Sequence, residues 1–170
     1  MLAHLAPSPA SPDTPSEGEK EGAALVIRRA YASDIPVVVR LDGTDDHMAR
    51  PAINAERRLL GKVIAGDIFL GFMGPMPVAY ARYDSLWPEM VPLLAWMWVH
   101  PEHRREGIAQ AMRQYTFAVL REDGVSSVLR SACTARPEMI TRLRQECGSE
   151  AGRLQYENGI EEVFFWKRLS

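Results

Sequence analysis

The stretch Val99-His100-Pro101-Glu102-His103-Arg104-Arg105-Glu106-Gly107-Ile108-Ala109-Gln110 carries the most concentrated chemistry in the chain. An apolar run ends at Val99 and a helical pattern begins near Gly107, so the loop between them delivers backbone N–H groups to the positive end of a helix dipole. Such a turn binds anionic oxygens. Gly107 lets a ligand approach the backbone, Ala109 keeps the first turn slim, and Arg104 and Arg105 add cationic donors. Neither the dinucleotide fingerprint GxGxxG nor the nucleoside-triphosphate loop GxxxxGK[ST] is present, which leaves other phosphate-bearing ligands. His100 and His103 could join Asp45, Asp46 and His47 around a metal, but no helix holds them at ligand spacing and no metal is expected.

The elements that must position this turn follow from periodicity. Leu25-Val26-Ile27-Arg28-Arg29 reads as a strand, and Ser33 as the N-cap of a helix that starts at Asp34 and tolerates Pro36 in its first turn. A turn-rich segment from Asp42 to Pro51 leads to a second helix, Asn54 to Ala65. Ile68–Met73 and Pro77–Tyr83 form a hairpin around Gly74-Pro75-Met76, and Leu93–Val99 is apolar enough for a central strand covered on both faces. Gly107–Glu122 returns to helical period, with Ile108, Ala111, Met112, Tyr115 and Val119 on one face. A strand from Val125 to Ser131, a helix from Pro137 to Glu146 that stops near Gly148, and a strand pair from Arg153 to Leu169 turning at Asn158-Gly159 complete the order. The fold class is mixed α/β, a layered α+β domain.

Composition narrows the function classes. The 170 residues are 46% hydrophobic and 25% charged, ordinary usage for one globular domain. Twenty Lys plus Arg against 22 Asp plus Glu leave a net charge of −2, which excludes a general cationic field for nucleic acid. Cys133 and Cys147 are too few and too far apart for a disulfide framework or a CxxC pair. The strongest apolar stretch, Pro92 to Val99, is far short of the ~20 residues a membrane helix needs, and no secretory leader is legible, so a cytoplasmic location is expected. Residues 1–22, rich in Pro, Ser and Glu, are expected to form a disordered tail ahead of a single domain over 23–170.

Val99-x-Pro101 followed by Arg104-x-x-Gly107-x-Ala109 at the head of an amphipathic helix resembles the acetyl-CoA signature [QR]-x-x-G-x-[GA] of the GCN5-related N-acetyltransferase (GNAT) family. The element order over about the last 147 residues resembles that family as well. The resemblance implies a central, mostly antiparallel mixed sheet of six to seven strands flanked by about four helices. It implies that backbone N–H groups of Arg105, Glu106, Gly107, Ile108, Ala109 and Gln110 hold the CoA diphosphate, with Arg104 beside them. Met97, Trp98 and Val99 would pair their backbone with the pantetheine arm. A backbone N–H near Val99 would serve as oxyanion donor.

The family's usual acid is a tyrosine four residues before the glycine that closes the fourth helix. Here that position is Arg144, whose guanidinium cannot give up a proton at pH 7. Tyr156, beside the Asn158-Gly159 turn, is the leading substitute; Cys147 reads better as a buried thiol and Tyr115 as core. Asp84 leads the candidates for the base that takes the amine proton, ahead of Glu89, Asp45, Asp46 and His47. Trp96 and Trp98 share one strand face and Met97 takes the other. Arg28-Arg29, Arg57-Arg58 and Arg142 with Arg144 read as solvated basic pairs. The expected activity is therefore transfer of an acetyl group from acetyl-CoA to a primary amine by direct attack in a ternary complex. The alternative is a CoA-binding regulatory module without turnover. Expected partners are a small-molecule or protein amine, with a homodimer also open, and neither nucleic acid nor membrane.

Overall fold

The computed structural model describes residues 24–42, 55–85 and 91–169. The tail expected over residues 1–22, the loop holding Asp45, Asp46 and His47, and Glu89 lie outside the described residues. Strands β1 (Leu25–Arg29), β2 (Ile68–Met73), β3 (Met76–Ser85), β4 (Pro92–Val99), β5 (Ser127–Cys133), β6 (Glu150–Gln155) and β7 (Glu161–Arg168) form a seven-stranded sheet in the order β1-β2-β3-β4-β5-β7-β6. Every neighbouring pair is antiparallel except β4 and β5. Helices α1 (Ile35–Leu41), α2 (Ala55–Ala65), α3 (Ile108–Glu122) and α4 (Pro137–Cys147) complete the mixed layer expected from the sequence.

Burial on both sides of the sheet fixes the layers. Val38 and Leu41 of α1 and Leu59 and Val63 of α2 pack with Ile68, Leu70, Tyr80 and Trp98 on one face. Ile108, Met112 and Leu120 of α3 pack with Phe69, Ala79, Tyr83 and Val128 on the other. Leu143 of α4 joins Ala132, Val163 and Phe165 to extend the α3 side over β5 and β7. Trp96 packs beside Trp98 on the α1–α2 side, whereas Met97 and Val99 line the α3 side, as strand alternation requires.

Several local expectations change. The helix cap falls at Asp34 instead of Ser33: a 3-10 turn, Ala32–Asp34, precedes α1, and the Asp34 carboxylate accepts from the Tyr31 N–H at 2.7 Å while pairing with Arg28. The buried stripe of α3 is Ile108, Met112, Thr116 and Leu120, because the Thr116 hydroxyl finds the Tyr83 hydroxyl at 2.8 Å inside the core. Tyr115, expected in the core, is 38% exposed and meets Phe69 edge-on. The β6–β7 connection is a type I turn with only Gly159 left-handed, closed by Gly159 N–H to Tyr156 O at 2.9 Å and Tyr156 N–H to Ile160 O at 2.8 Å, so Asn158 keeps an ordinary φ. Strand β6 begins at Glu150, earlier than Arg153, and all of it is exposed at the sheet edge.

The largest departure concerns β4. Its parallel pairing with β5 covers only Leu93↔Leu129 and Leu94↔Arg130, so from Ala95 to Val99 the two strands diverge. A register shift against β3 falls at the same place: Arg82 pairs with Trp96 and Tyr83 with Leu94, leaving Ala95 as an extra residue. Consequently β4 is only partly covered, and its far half has one free edge.

Candidate functional site

The free edge of β4 and the N-terminus of α3 meet at one end of the sheet. His100 N–H donates to Val78 O at 2.8 Å across the β3 side, so by strand alternation Trp98 also turns its amide toward β3 while Met97 and Val99 turn theirs to the open edge. The Val99 carbonyl points the same way, and the Arg104 Nε donates to it at 3.1 Å. This bond ties the loop after β4 back onto the strand. A 3-10 turn, Pro101–His103, then carries the chain to α3, and His103 Nδ1 lies 3.1 Å from Glu106 Oε2.

Past Arg104 the backbone is shaped around an empty space. Arg105 has φ 72, a left-handed conformation that costs a non-glycine residue roughly 1–2 kcal/mol, and Gly107 follows at φ 80 as the N-cap of α3. A Cβ on Gly107 would meet no atom within 4 Å. Among the described residues, no hydrogen bond engages the N–H groups of Arg105, Glu106, Gly107, Ile108 and Ala109. Gln110 differs: its N–H donates to the Gly107 carbonyl at 2.9 Å, as does that of Ala111 at 3.0 Å, so the undonated set ends one residue before the expected limit. Five outward amides around alternating left-handed residues form an anion nest at a positive helix end.

The three residues singled out for catalysis are dispersed. Val99 ends the free edge. Asp84 lies on the α1–α2 face, with Lys62 Nζ at 3.1 Å and Arg82 Nε at 3.4 Å, inside a polar network. In that network Asp42 accepts from Tyr80 Oη at 2.9 Å, from Arg58 at 2.8 Å and from Arg82. Burial, then the Asp42 charge, pushes the Tyr80 hydroxyl far above its ordinary value. Tyr156 sits by the β6–β7 turn, where burial and the nearby Glu162 push its hydroxyl up and keep it protonated at neutral pH. Among the described residues no hydrogen bond or ion pair joins any two of Val99, Asp84 and Tyr156.

The structure also assembles a group the sequence reading passed over. Arg130, 7% exposed, is the β5 residue paired with Leu94 where the strands part, and it binds the Glu146 carboxylate of α4. Arg142 Nε reaches the other Glu146 oxygen at 2.7 Å, and Lys167 Nζ donates to the Glu146 carbonyl at 3.1 Å. Burial opposes the Glu146 charge, but the two guanidinium bonds outweigh it and hold its pKa down to about 2. Burial pushes the adjacent Cys147 thiol up. Arg113, one and a half turns into α3, is half-buried beside Arg130, and burial followed by that like charge lowers its pKa. A charged residue inside the apolar run of β5 was the available signal for this cluster. The other basic pairs are also engaged: Arg28 stacks between Tyr31 and Phe72, Arg29 meets Asp123, and Arg144, exposed, lies 3.7 Å from Glu150.

Comparison with known proteins gives this geometry a context. Solved structures similar to the described fold include Ard1 from Thermoplasma volcanium (17% identity, TM-score 0.68, covering 85% of this chain and 97% of that one). The Salmonella typhimurium protein yncA, solved with its cofactor acetyl-CoA, matches at 13% identity and TM-score 0.68 over 86% of this chain and 95% of its own. The ribosomal-protein-S18-alanine N-acetyltransferase from Escherichia coli matches at 16% identity and TM-score 0.62, again over 86% and 95%. No curated protein matches by sequence. The model of the acetyltransferase (GNAT) family matches residues 45–142, a span that contains the free edge of β4, the amide nest, and Arg113, Arg130 and Arg142 of the charged cluster. The chain belongs to the GNAT acetyltransferase family.

Proposed function

We propose that the protein transfers an acetyl group from acetyl-CoA to a primary amine by direct attack in a ternary complex. The observation that carries this reading is the set of undonated amides from Arg105 to Ala109 around Gly107, opening beside the free edge of β4. The nest suits a diphosphate, with Arg105 as cationic neighbour and Arg104 holding the loop to Val99. The Met97 and Val99 amides suit the carbonyls of an extended pantetheine arm lying where the next strand is missing. A backbone N–H of the free edge that ends at Val99 is assigned to the carbonyl oxygen as negative charge develops on it.

The acceptor enters from the α1–α2 face, where Asp84 is the carboxylate assigned to the amine proton and Trp96 and Trp98 supply an apolar wall. Tyr156, the hydroxyl expected from the sequence to donate a proton, stands instead beside Glu162 and Cys133. A protein N-terminus is one acceptor of the right chemistry, as acted on by the Escherichia coli neighbour, and small amines are others. Among the described residues no helix is long and apolar enough to cross a membrane, and no three His, Cys, Asp or Glu residues are grouped as metal ligands.

Calorimetry with acetyl-CoA, followed by thiol release over a panel of primary amines, tests the reading. Binding with acceptor-dependent release of one thiol per acetylated amine supports it. Binding without release from any amine favours a regulatory CoA-binding module, to which the replacement of the expected tyrosine by Arg144 would then belong. No binding removes both.

A further inference from the structure

The Arg130 cluster lies at the closed end of the cleft whose open end is the amide nest. From Val99 to Ala95 the free edge of β4 runs four strand steps, about 13 Å. Arg130 stands at the level of Leu94, where that edge stops. An arm anchored by its diphosphate at Arg105–Ala109 and laid along this edge brings its far end, the sulfur, toward Arg130. Val128 and Ala132 pack on the helical side with α3 and α4, so Arg130, between them on β5, faces the same side. Arg113 of α3, on the side of the helix opposite Tyr115, lies within electrostatic reach of Arg130.

Charge at this point is unbalanced. Arg130, Arg113 and Arg142 surround the single carboxylate Glu146, both of whose oxygens are taken by Arg130 and Arg142, and Lys167 donates to its backbone carbonyl. Tyr83 from β3 and Cys147 from α4 are the other titratable groups facing the cluster, and both are held neutral by burial. Among the described residues the Arg113 guanidinium has no side-chain or carbonyl partner. A half-buried guanidinium whose one neighbouring carboxylate, Glu146, is already bonded by two others, and which is set against a second guanidinium, is unfavourable unless a ligand brings further negative charge to it.

We propose that Arg113, together with Arg130, stabilises the CoA thiolate as it leaves, so that no proton-donating side chain is needed there. The inference rests on the acetyl-CoA reading above. The amine nitrogen bonds to the thioester carbonyl carbon, the C–S bond breaks, and its electron pair stays on sulfur as a thiolate between the two guanidinium groups. The amine proton passes to Asp84 on the acceptor side and on to solvent, and the thiolate is protonated from water after it departs. This accounts for the tolerance of Arg144, which is exposed and paired with Glu150, at the position where a tyrosine is expected. Tyr156 is not part of this thiolate site, since its neighbours Glu162 and Cys133 lie on the face opposite Arg130.

The test follows the ultraviolet thiolate absorbance of protein-bound CoA against pH, corrected for the Cys133 and Cys147 signal of the protein alone, alongside steady-state thiol release. In the wild type the bound thiol titrates below free CoA. Arg113→Gln moves that titration up by about one unit, a tenfold loss of thiolate at a given pH, and lowers kcat about tenfold. KM for acetyl-CoA changes by less than about twofold, and Tyr156→Phe leaves the titration in place. If Arg113→Gln does not fold, Arg113→Lys carries the test with a smaller upward shift. An unmoved titration in the Arg113 variant, a loss confined to KM or melting temperature, or a shift caused by Tyr156→Phe overturns the inference while leaving acetyl-CoA binding intact. A wild type that binds no acetyl-CoA overturns the underlying reading as well.

Discussion

At the scale of single residues, Gly107 combines conformation and function. Its φ of 80 suits glycine, and its missing side chain leaves the nest open. Gly107→Ala should cost about 1 kcal/mol of stability from the left-handed backbone alone. Gly107→Glu adds a carboxylate at the anion site. At about 4 Å and an intermediate dielectric it should weaken acetyl-CoA binding about 100-fold or more while the fold persists, as calorimetry and circular dichroism would show. Unchanged affinity would remove the nest from the account. Thr116 offers a purely structural counterpart. Thr116→Val strands the Tyr83 hydroxyl in the core and should cost about 1–3 kcal/mol in denaturant unfolding. Adding Tyr83→Phe should recover part of that loss, because the orphaned hydroxyl is then removed. The amphipathic period of α3 was readable in the sequence, but its exact face was not: a threonine became core because a partner hydroxyl from a distant strand meets it there.

At the scale of elements, α4 is tied to the sheet through Glu146, which binds Arg130 of β5 and is capped at its carbonyl by Lys167 of β7. Its pKa of about 2 lies below the ordinary 4.5, so the unfolded chain binds the proton more readily than the native one. The stabilisation is complete above pH 4.5 and is lost as pH falls toward 2. Glu146→Gln should therefore lower the melting temperature at neutral pH and flatten its decline across that acid window. A parallel decline in both proteins would show that Glu146 contributes nothing through its charge. Element types were legible because each strand and helix carries its own period, as in Leu25–Arg29 or Ile108–Glu122. The splay of β4 from β5 was not. Leu93 to Val99 is apolar throughout, and whether such a run is paired on one edge or two depends on the path of β5, thirty residues away.

Across the whole molecule, the same sheet separates two kinds of chemistry. The α3–α4 side holds the amide nest, the free edge and the Arg130–Arg113 pair in a line. The α1–α2 side holds the indoles of Trp96 and Trp98 and the network of Asp42, Tyr80, Arg82 and Asp84. The register shift at Ala95 joins them, since it is there that β4 passes from paired strand to free edge. The nest was legible from local residues because a turn into a helix is a local event. The two charged networks were not, because each draws single residues from elements far apart in the chain, such as Asp42 with Arg82 or Arg130 with Glu146. The most direct measurement is residue-resolved amide hydrogen exchange with and without acetyl-CoA. Slowed exchange confined chiefly to Met97, Val99 and Arg105–Ala109 is the predicted result; unchanged exchange at those amides in the saturated protein would contradict the account.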